Sequence, residues 1–359
     1  MGEPVGMAAE RWSVAFPQEW WYPACMAHDL GRKPLGVTLM ERPFVLYRDQ
    51  AGVAHALEDR CPHRNVPLSL GRVHADGTLE CGYHGWRFDG AGRCTAVPAL
   101  DLDLGDAPTP RDAVARPVRE LDEVVWIWGS ADVAPHRDPY RLPVLGEGSQ
   151  VGQVVFQRDI DCTLHASLEN ALDVPHTAFL HGGLFRKSGR GPRVQAERTD
   201  LPDGVEVRFL GEPAAFGPIR LGRDTTFDHW DRFFMPSIAQ VEYRVGDAVR
   251  IVNNILHLPL TATRTRAWFV LRFRSPVPAR ALAPIVRARG KKILEQDVEM
   301  LEAQTANVRR FDGERYTSTD LDLLGNAIKR LLRQAERAEG NDGSEVPVDI
   351  GNPKVTLQL

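Results

Sequence analysis

Two cysteines and two histidines stand in one short stretch, CPHRNVPLSLGRVHADGTLECGYHGW, as Cys61-x-His63 and Cys81-x2-His84. Seventeen residues, Arg64 to Glu80, separate the pairs. Thiolates and imidazoles are soft and borderline ligands, so the pattern points to a metal. A Cys2His2 zinc finger would place its two histidines together on a helix. Here each cysteine has its own histidine, and both pairs lie in turn-like sequence. That division suits a 2Fe-2S cluster in which two histidines replace two cysteines on one iron. Each loop then supplies one thiolate and one imidazole. Gly82 and Gly85 flank the second histidine and let backbone approach the sulfurs, while Pro62 stiffens the first loop. Structural zinc is the alternative.

A second constellation follows in ENALDVPHTAFLH, which holds Asn170, Asp173, His176 and His181. Asp173 and His176 are three apart and can share a helical face. His176 and His181 are five apart, so they converge only where a helix ends or distorts, and Gly182-Gly183 supplies an ending. Two histidines and one carboxylate make a ferrous site with positions left for O2. The helix KKILEQDVEMLEAQ offers Glu295, Asp297, Glu299 and Glu302. Asp297 has Ile293, Leu294, Met300 and Leu301 around it at helical spacing, and a carboxylate on an apolar face is costly unless paired or metal-bound. Glu299 sits among Glu295, Gln296 and Glu302, a solvated face. Asp297 is the expected third ligand.

These residues need elements to hold them. PFVLYRDQAGVAHALEDR reads as two strands about a turn at Asp49–Gly52, and LECGYHGWRFDGAGRCTAV as a hairpin about Asp89–Gly92. DEVVWIWGS is a further strand. The Pro/Gly-rich APHRDPYRLPVLGEG marks a boundary. Residues 161–181 read as a helix, a break at Pro175 and a short helix. Strands return over 194–275, followed by a long helical pattern at 278–311, with a bend at Gly290, and an amphipathic helix over Leu321–Ala338. The expected organisation is a docking segment over 1–35, an all-β domain over 36–145, and a second domain over 146–359. A length of 359 residues favours two cores.

Net charge of -4 gives no bulk attraction to nucleic acid or to an anionic membrane. There is no apolar run near membrane-spanning length, and MGEPVGMAAERW has no hydrophobic signal core. Five cysteines in this length do not make a disulfide framework, which points to a reducing, cytoplasmic setting.

CPHRNVPLSLGRV followed by CGYHGWRFDGAGRC resembles the cluster-binding signature of Rieske non-haem iron oxygenases, and Asn-x2-Asp-x2-His-x4-His is similar to their catalytic-domain motif. The resemblance covers about residues 20–310. It implies an α+β protein, an all-β Rieske 2Fe-2S domain followed by an antiparallel-sheet catalytic domain flanked by helices. It implies a cluster on Cys61, His63, Cys81 and His84, and a mononuclear Fe(II) on His176, His181 and Asp297. Asp173 resembles the family's bridging carboxylate, which links a histidine ligand to the cluster histidine (here His84) of the neighbouring subunit in a head-to-tail homotrimer. Asn170 resembles a polar residue near the iron. The implied activity is hydroxylation or oxidative O- or N-demethylation of a small organic molecule with O2. No glycine-rich nucleotide motif is present, so NAD(P)H would be oxidised by a partner flavin reductase, with or without a ferredoxin. The other class to weigh is a Rieske electron-transfer protein without oxygenase activity.

Overall fold

The computed structural model describes Trp12, residues 14–98, Leu100, and residues 107–182, 193–213, 215–216, 219–220, 225–339 and 354–358. The chain divides into two compact units. Residues 18–141 form one, and the chain from Leu142 onward, with the described residues up to Pro17, forms the other.

The first unit is built from three small antiparallel sheets. The segment expected to dock against a core itself contains a core strand: Trp21–Met26 is buried along its whole length and pairs with Val124–Trp128. Both strands are apolar on both faces, which suits a strand covered on each side. The expected hairpin of Arg42–Arg48 with Ala54–Glu58 forms, with Gly52 at positive φ in its turn. Four short strands, Arg72–Val73, Leu79–Glu80, Arg87–Phe88 and Cys94–Ala96, make a third sheet beside the two Cys-His loops. Leu57, Leu68, Leu79 and Phe88 share one buried cluster with Cys61 and Cys81.

The second unit is an eight-stranded antiparallel sheet with helices. Its strands are β1 (Val151–Ile160), β2 (Arg193–Leu201), β3 (Gly204–Pro213), β4 (Thr226–Phe234), β5 (Ile238–Val245), β6 (Val249–Thr261), β7 (Arg264–Arg274) and β8 (Lys354–Gln358). Their order across the sheet is β1-β7-β6-β5-β4-β3-β2-β8. Helix α1 (Leu164–Leu172) starts at Thr163, whose hydroxyl accepts the Ala166 N–H at 3.1 Å. Pro175 interrupts the helix as expected, and α2 (His176–Phe179) follows as a single turn. Gly183, expected to stop it, lies outside the described residues. Helix α3 (Ala279–Arg310) runs through Gly290, where a bend was expected. That glycine instead admits the Phe156 ring, which a Cβ would meet at 3.0 Å. Helix α4 (Gly325–Ala338) begins four residues later than its sequence pattern suggested. Among the described residues no helix is long and apolar enough to cross a membrane.

Candidate functional site

The two Cys-His loops share one backbone design. In the first, the Cys61 N–H donates to the Val66 carbonyl (2.9 Å) and the Asn65 N–H to the Cys61 carbonyl (2.8 Å). In the second, the Cys81 N–H donates to Trp86 (2.8 Å) and the Gly85 N–H to Cys81 (3.0 Å). The residue four after each cysteine, Asn65 and Gly85, has positive φ. Asparagine and glycine tolerate that conformation best. Both cysteines are buried as free thiols. Burial, with Cys81 adding to it, pushes the Cys61 thiol up to about 11. A coordinated iron reverses that cost, because a metal deprotonates its thiol ligand. The His63 and His84 rings lie 4.6 Å apart, and Trp86 stacks on His63 at 4.7 Å. His63 Nδ1 is buried without a hydrogen bond, a donor atom lacking a partner. Two close buried thiols and two close imidazoles fit the donor set of a Rieske cluster.

The second constellation converges too. His181 Nε2 lies 3.0 Å from Asp297 Oδ1, His176 Nε2 lies 3.5 Å from the same oxygen, and the two Nε2 atoms are 3.3 Å apart. Two ligands each about 2.1 Å from one ion, at right-angled to tetrahedral spacing, lie roughly 3.0–3.4 Å apart. Second partners set the ring orientations. His181 Nδ1 faces the Gln296 side-chain oxygen at 3.0 Å, and His176 Nδ1 faces Asp173 Oδ2 at 3.3 Å. A proton on each Nδ1 leaves each Nε2 as a lone pair. Three lone pairs then meet at one point, and Asp297 Oδ1 is buried without a satisfied hydrogen bond. That arrangement is repulsive unless a cation or a proton sits in it. Burial opposes charge on His176, but Asp173 and Asp297 outweigh it and raise its pKa to about 9. Burial likewise pushes Asp297 up, and the two histidines outweigh it to hold the carboxyl below its usual range. These three residues could together hold a cation, and their donor set fits a ferrous ion.

Local structure explains the convergence. Pro175 ends α1 and restarts the chain as α2, and Asp173 Oδ2 accepts the His176 N–H at 3.3 Å. Asp297 falls between Leu294 and Leu301 on the inner face of α3, at the spacing its apolar neighbours implied. Glu295, Glu299 and Glu302 are exposed, and so is Met300, which lies just outside the stripe. Asn170 stands at the end of α1 and lines the cavity beside the triad. Gln296 escaped the sequence reading because its neighbours Glu295 and Glu299 made its face look solvated.

That cavity has a volume of about 210 Å³ and lies between the sheet and α1, α2 and α3. Alternate residues of β6, Ile251, Asn253, Ile255 and His257, face it. Asn254 points to the other face, where Gln240 donates to it at 3.1 Å. Leu168 and Phe179 lie off the cavity: Leu168 is core, and Phe179 is 83% exposed. Beside the cavity, His229 is fully buried between two carboxylates, 2.7 Å from Glu212 and 2.9 Å from Asp231. Burial would lower its pKa, but Asp231 and Glu212 overcome this and hold it at about 9. The imidazolium is sandwiched by Phe209 and Tyr243, at 4.5 and 4.1 Å.

A Rieske [2Fe-2S] domain model matches residues 20–108, and a vanillate O-demethylase oxygenase C-terminal domain model matches residues 160–338. The chain belongs to the Rieske oxygenase family. Rieske domains carry a 2Fe-2S cluster, and the oxygenase domains of this family bind a mononuclear iron. Protein TIC 55, chloroplastic, of Arabidopsis thaliana is 35% identical over 350 residues, covering 94% of this chain and 62% of that protein. The dicamba O-demethylase oxygenase component of Stenotrophomonas maltophilia is 36% identical over 171 residues, 47% of this chain and 48% of that one. The chain thus spans less than two thirds of these relatives' length. The crystal structure of dicamba monooxygenase bound to 3,6-dichlorosalicylic acid superposes with a TM-score of 0.76 at 24% identity, covering 91% of this chain and 100% of that chain. This chain therefore shares that fold.

Proposed function

We propose that this chain is a terminal oxygenase that uses O2 to hydroxylate, or oxidatively demethylate, a small organic molecule held in the cavity. The observation that carries the reading is the meeting of His176, His181 and Asp297 at separations of 3.0–3.5 Å on the wall of that cavity, in a chain that also bears a Rieske domain. Cys61, His63, Cys81 and His84 are the proposed cluster ligands, and the triad the proposed iron ligands. Ferrous iron on the triad would supply O2 activation.

The chain's own groups set the conditions. Gln296 fixes the His181 imidazole with Nε2 forward, Asp173 lies as an ion-pair neighbour behind that of His176, and Asp297 lowers the net charge of a bound ion. Apolar walls, among them Phe156, Leu271 and Ile293, keep water out. Asn170 lines the cavity as a polar group near the triad. Demethylation is supported by the family model and by the dicamba relative, whose names state that activity.

Electrons are proposed to come from a separate ferredoxin or flavin-dependent NAD(P)H reductase. Asp173 uses one oxygen toward His176 and is one-third exposed, and His84 is exposed. That supports a homotrimer in which Asp173 meets His84 of a neighbouring subunit. The free, buried cysteines support a reducing compartment such as the cytoplasm.

The test is total iron, zinc and acid-labile sulfide on protein purified without air, with an EPR spectrum after dithionite. About three irons and two sulfides per chain, with a Rieske-type signal, are expected. Two irons that ferrous salt cannot raise to three would remove the triad assignment, and zinc without sulfide would remove the whole reading.

A further inference from the structure

The sheet wall of the cavity carries an unusual set of hydrogen-bonding groups. His257 is fully buried and lines the cavity. Burial pushes its pKa down to about 4, against the carbonyls of Ser237 and Ile255, so the ring is neutral and holds one proton. Nδ1 lies 3.0 Å from the Ser237 carbonyl, an acceptor, so the proton is on Nδ1. Nε2 is left as a bare lone pair, buried and without a hydrogen bond. Asn253 faces the same cavity, and its Oδ1 is also buried without a hydrogen bond.

Asp231 completes the set. Its Oδ1 accepts from His229 Nε2, and the other nitrogen of that ring is taken by Glu212. The imidazolium has no further proton to share, and Asp231 itself lines the cavity. Asp231 pairs with Val241, and Val241 with Asn253. The two polar residues therefore share one cross-strand row, about 10 Å apart, with an apolar residue between them. Among the described residues no lysine or arginine lines the cavity.

Buried acceptors without partners cost stability unless something enters to satisfy them. Asp231 and the His257 Nε2 can only accept, Asn253 offers an amide oxygen beside its N–H groups, and none of the three is a cationic donor. We infer that the wall selects a substrate bearing hydrogen-bond donors, a phenol, alcohol or amine on a single ring, and disfavours aromatic carboxylates. A cavity of about 150 Å³ takes benzene, so the volume here of about 210 Å³ admits one substituted ring. On this wall an incoming carboxylate would meet the Asp231 anion and the His257 lone pair, with no lysine or arginine beside them among the described residues. The inference rests on the oxygenase reading for what the cavity is for, but the wall's preference is measurable by binding alone.

The experiment uses three probes of matched size, 2-methoxyphenol, 1,2-dimethoxybenzene and 2-methoxybenzoate. Each is titrated calorimetrically into iron-loaded protein without O2. 2-Methoxyphenol should bind at least about tenfold more tightly than either of the others. Asp231→Asn should narrow the gap between the phenol and the benzoate, because an amide can donate. Asn253→Leu leaves the His229 ion triad untouched. It should weaken 2-methoxyphenol while melting no lower than the wild type, since it removes an unsatisfied acceptor. Benzoate binding as tight as the phenol's, equal binding of all three, or binding of none would overturn the inference. Formaldehyde release under O2 with dithionite separates the two readings. Tight phenol binding without turnover keeps the wall's selectivity and removes the oxygenase; turnover without a phenol preference does the reverse.

Discussion

Iron uptake by the triad should depend steeply on pH, because in the metal-free site a proton occupies the place of the ion. Asp173 and Asp297 hold the His176 pKa at about 9 against the effect of burial. At pH 7 the ring is then about 99% protonated, and a metal must displace that proton. Two pH units correspond to about 2.7 kcal/mol, so affinity at pH 7 should be about 100-fold below its plateau. His176 is only 20% exposed, so solvent screening does little to weaken this. Anaerobic Fe(II) or Co(II) titration at pH 7, 8 and 9 should show affinity rising about tenfold per unit and levelling near pH 9. Calorimetry in buffers of different ionisation enthalpy should find about one proton released per ion at pH 7. The same group affects the fold. Its folded pKa is raised, so the stability it lends the metal-free protein is complete below about pH 6.5 and lost as pH rises through about 9. Metal-free protein should therefore melt lower at pH 9.5 than at pH 6.5, by more than the iron-loaded protein does. Affinity that is flat between pH 7 and 9, with no proton released, would refute the reasoning.

Gln296→Leu removes the acceptor that orients His181, so retained iron should fall about 10- to 100-fold in affinity while the Rieske EPR signal is unchanged. Asp173→Asn should keep both metals yet slow oxidation of the cluster by O2 plus substrate in a single turnover, on the order of 10²-fold; a normal rate would remove its bridging role. Gly71→Ala places a Cβ on the Glu80 carbonyl, next to Cys81, and should cost about 1–3 kcal/mol and lower labile sulfide per chain.

The proposed metal sites were the most legible part of the sequence because most of their candidate ligands lie in short motifs. Cys61, His63, Cys81 and His84 fall on two turns, and His176 and His181 on one interrupted helix, so local chemistry suffices to mark them. Asp297 lies far away in the chain, but helical periodicity singled it out, and its face in α3 packs through Leu294 and Leu301 while Met300 stays outside. Features that depend on pairing between distant strands stayed hidden. His229 and Asp231 share one buried face of β4 with Phe227 and Phe233, and only the register with β3 reveals that Glu212 joins them in a buried charged trio. Asn253 and Asn254 look alike in sequence, yet alternation sends one to the cavity and the other to the opposite face. Gly290 read as a hinge because glycine is weak in helices; its role is contact with Phe156.

Helix α3 carries Asp297, the Gln296 that steers His181, and Ile293, Leu294 and Leu301 on the roof of the cavity. On the proposed function, one rigid rod thus serves both metal retention and substrate enclosure. The opposite wall, on β4 to β7, holds no metal ligand. Changes that retune substrate choice can accumulate on the sheet without disturbing iron, whereas reshaping the roof shifts the ligand set. Across descendants of this chain, new specificities should therefore arise from strand residues such as Asp231, Asn253 and His257, with the helix face left as it is.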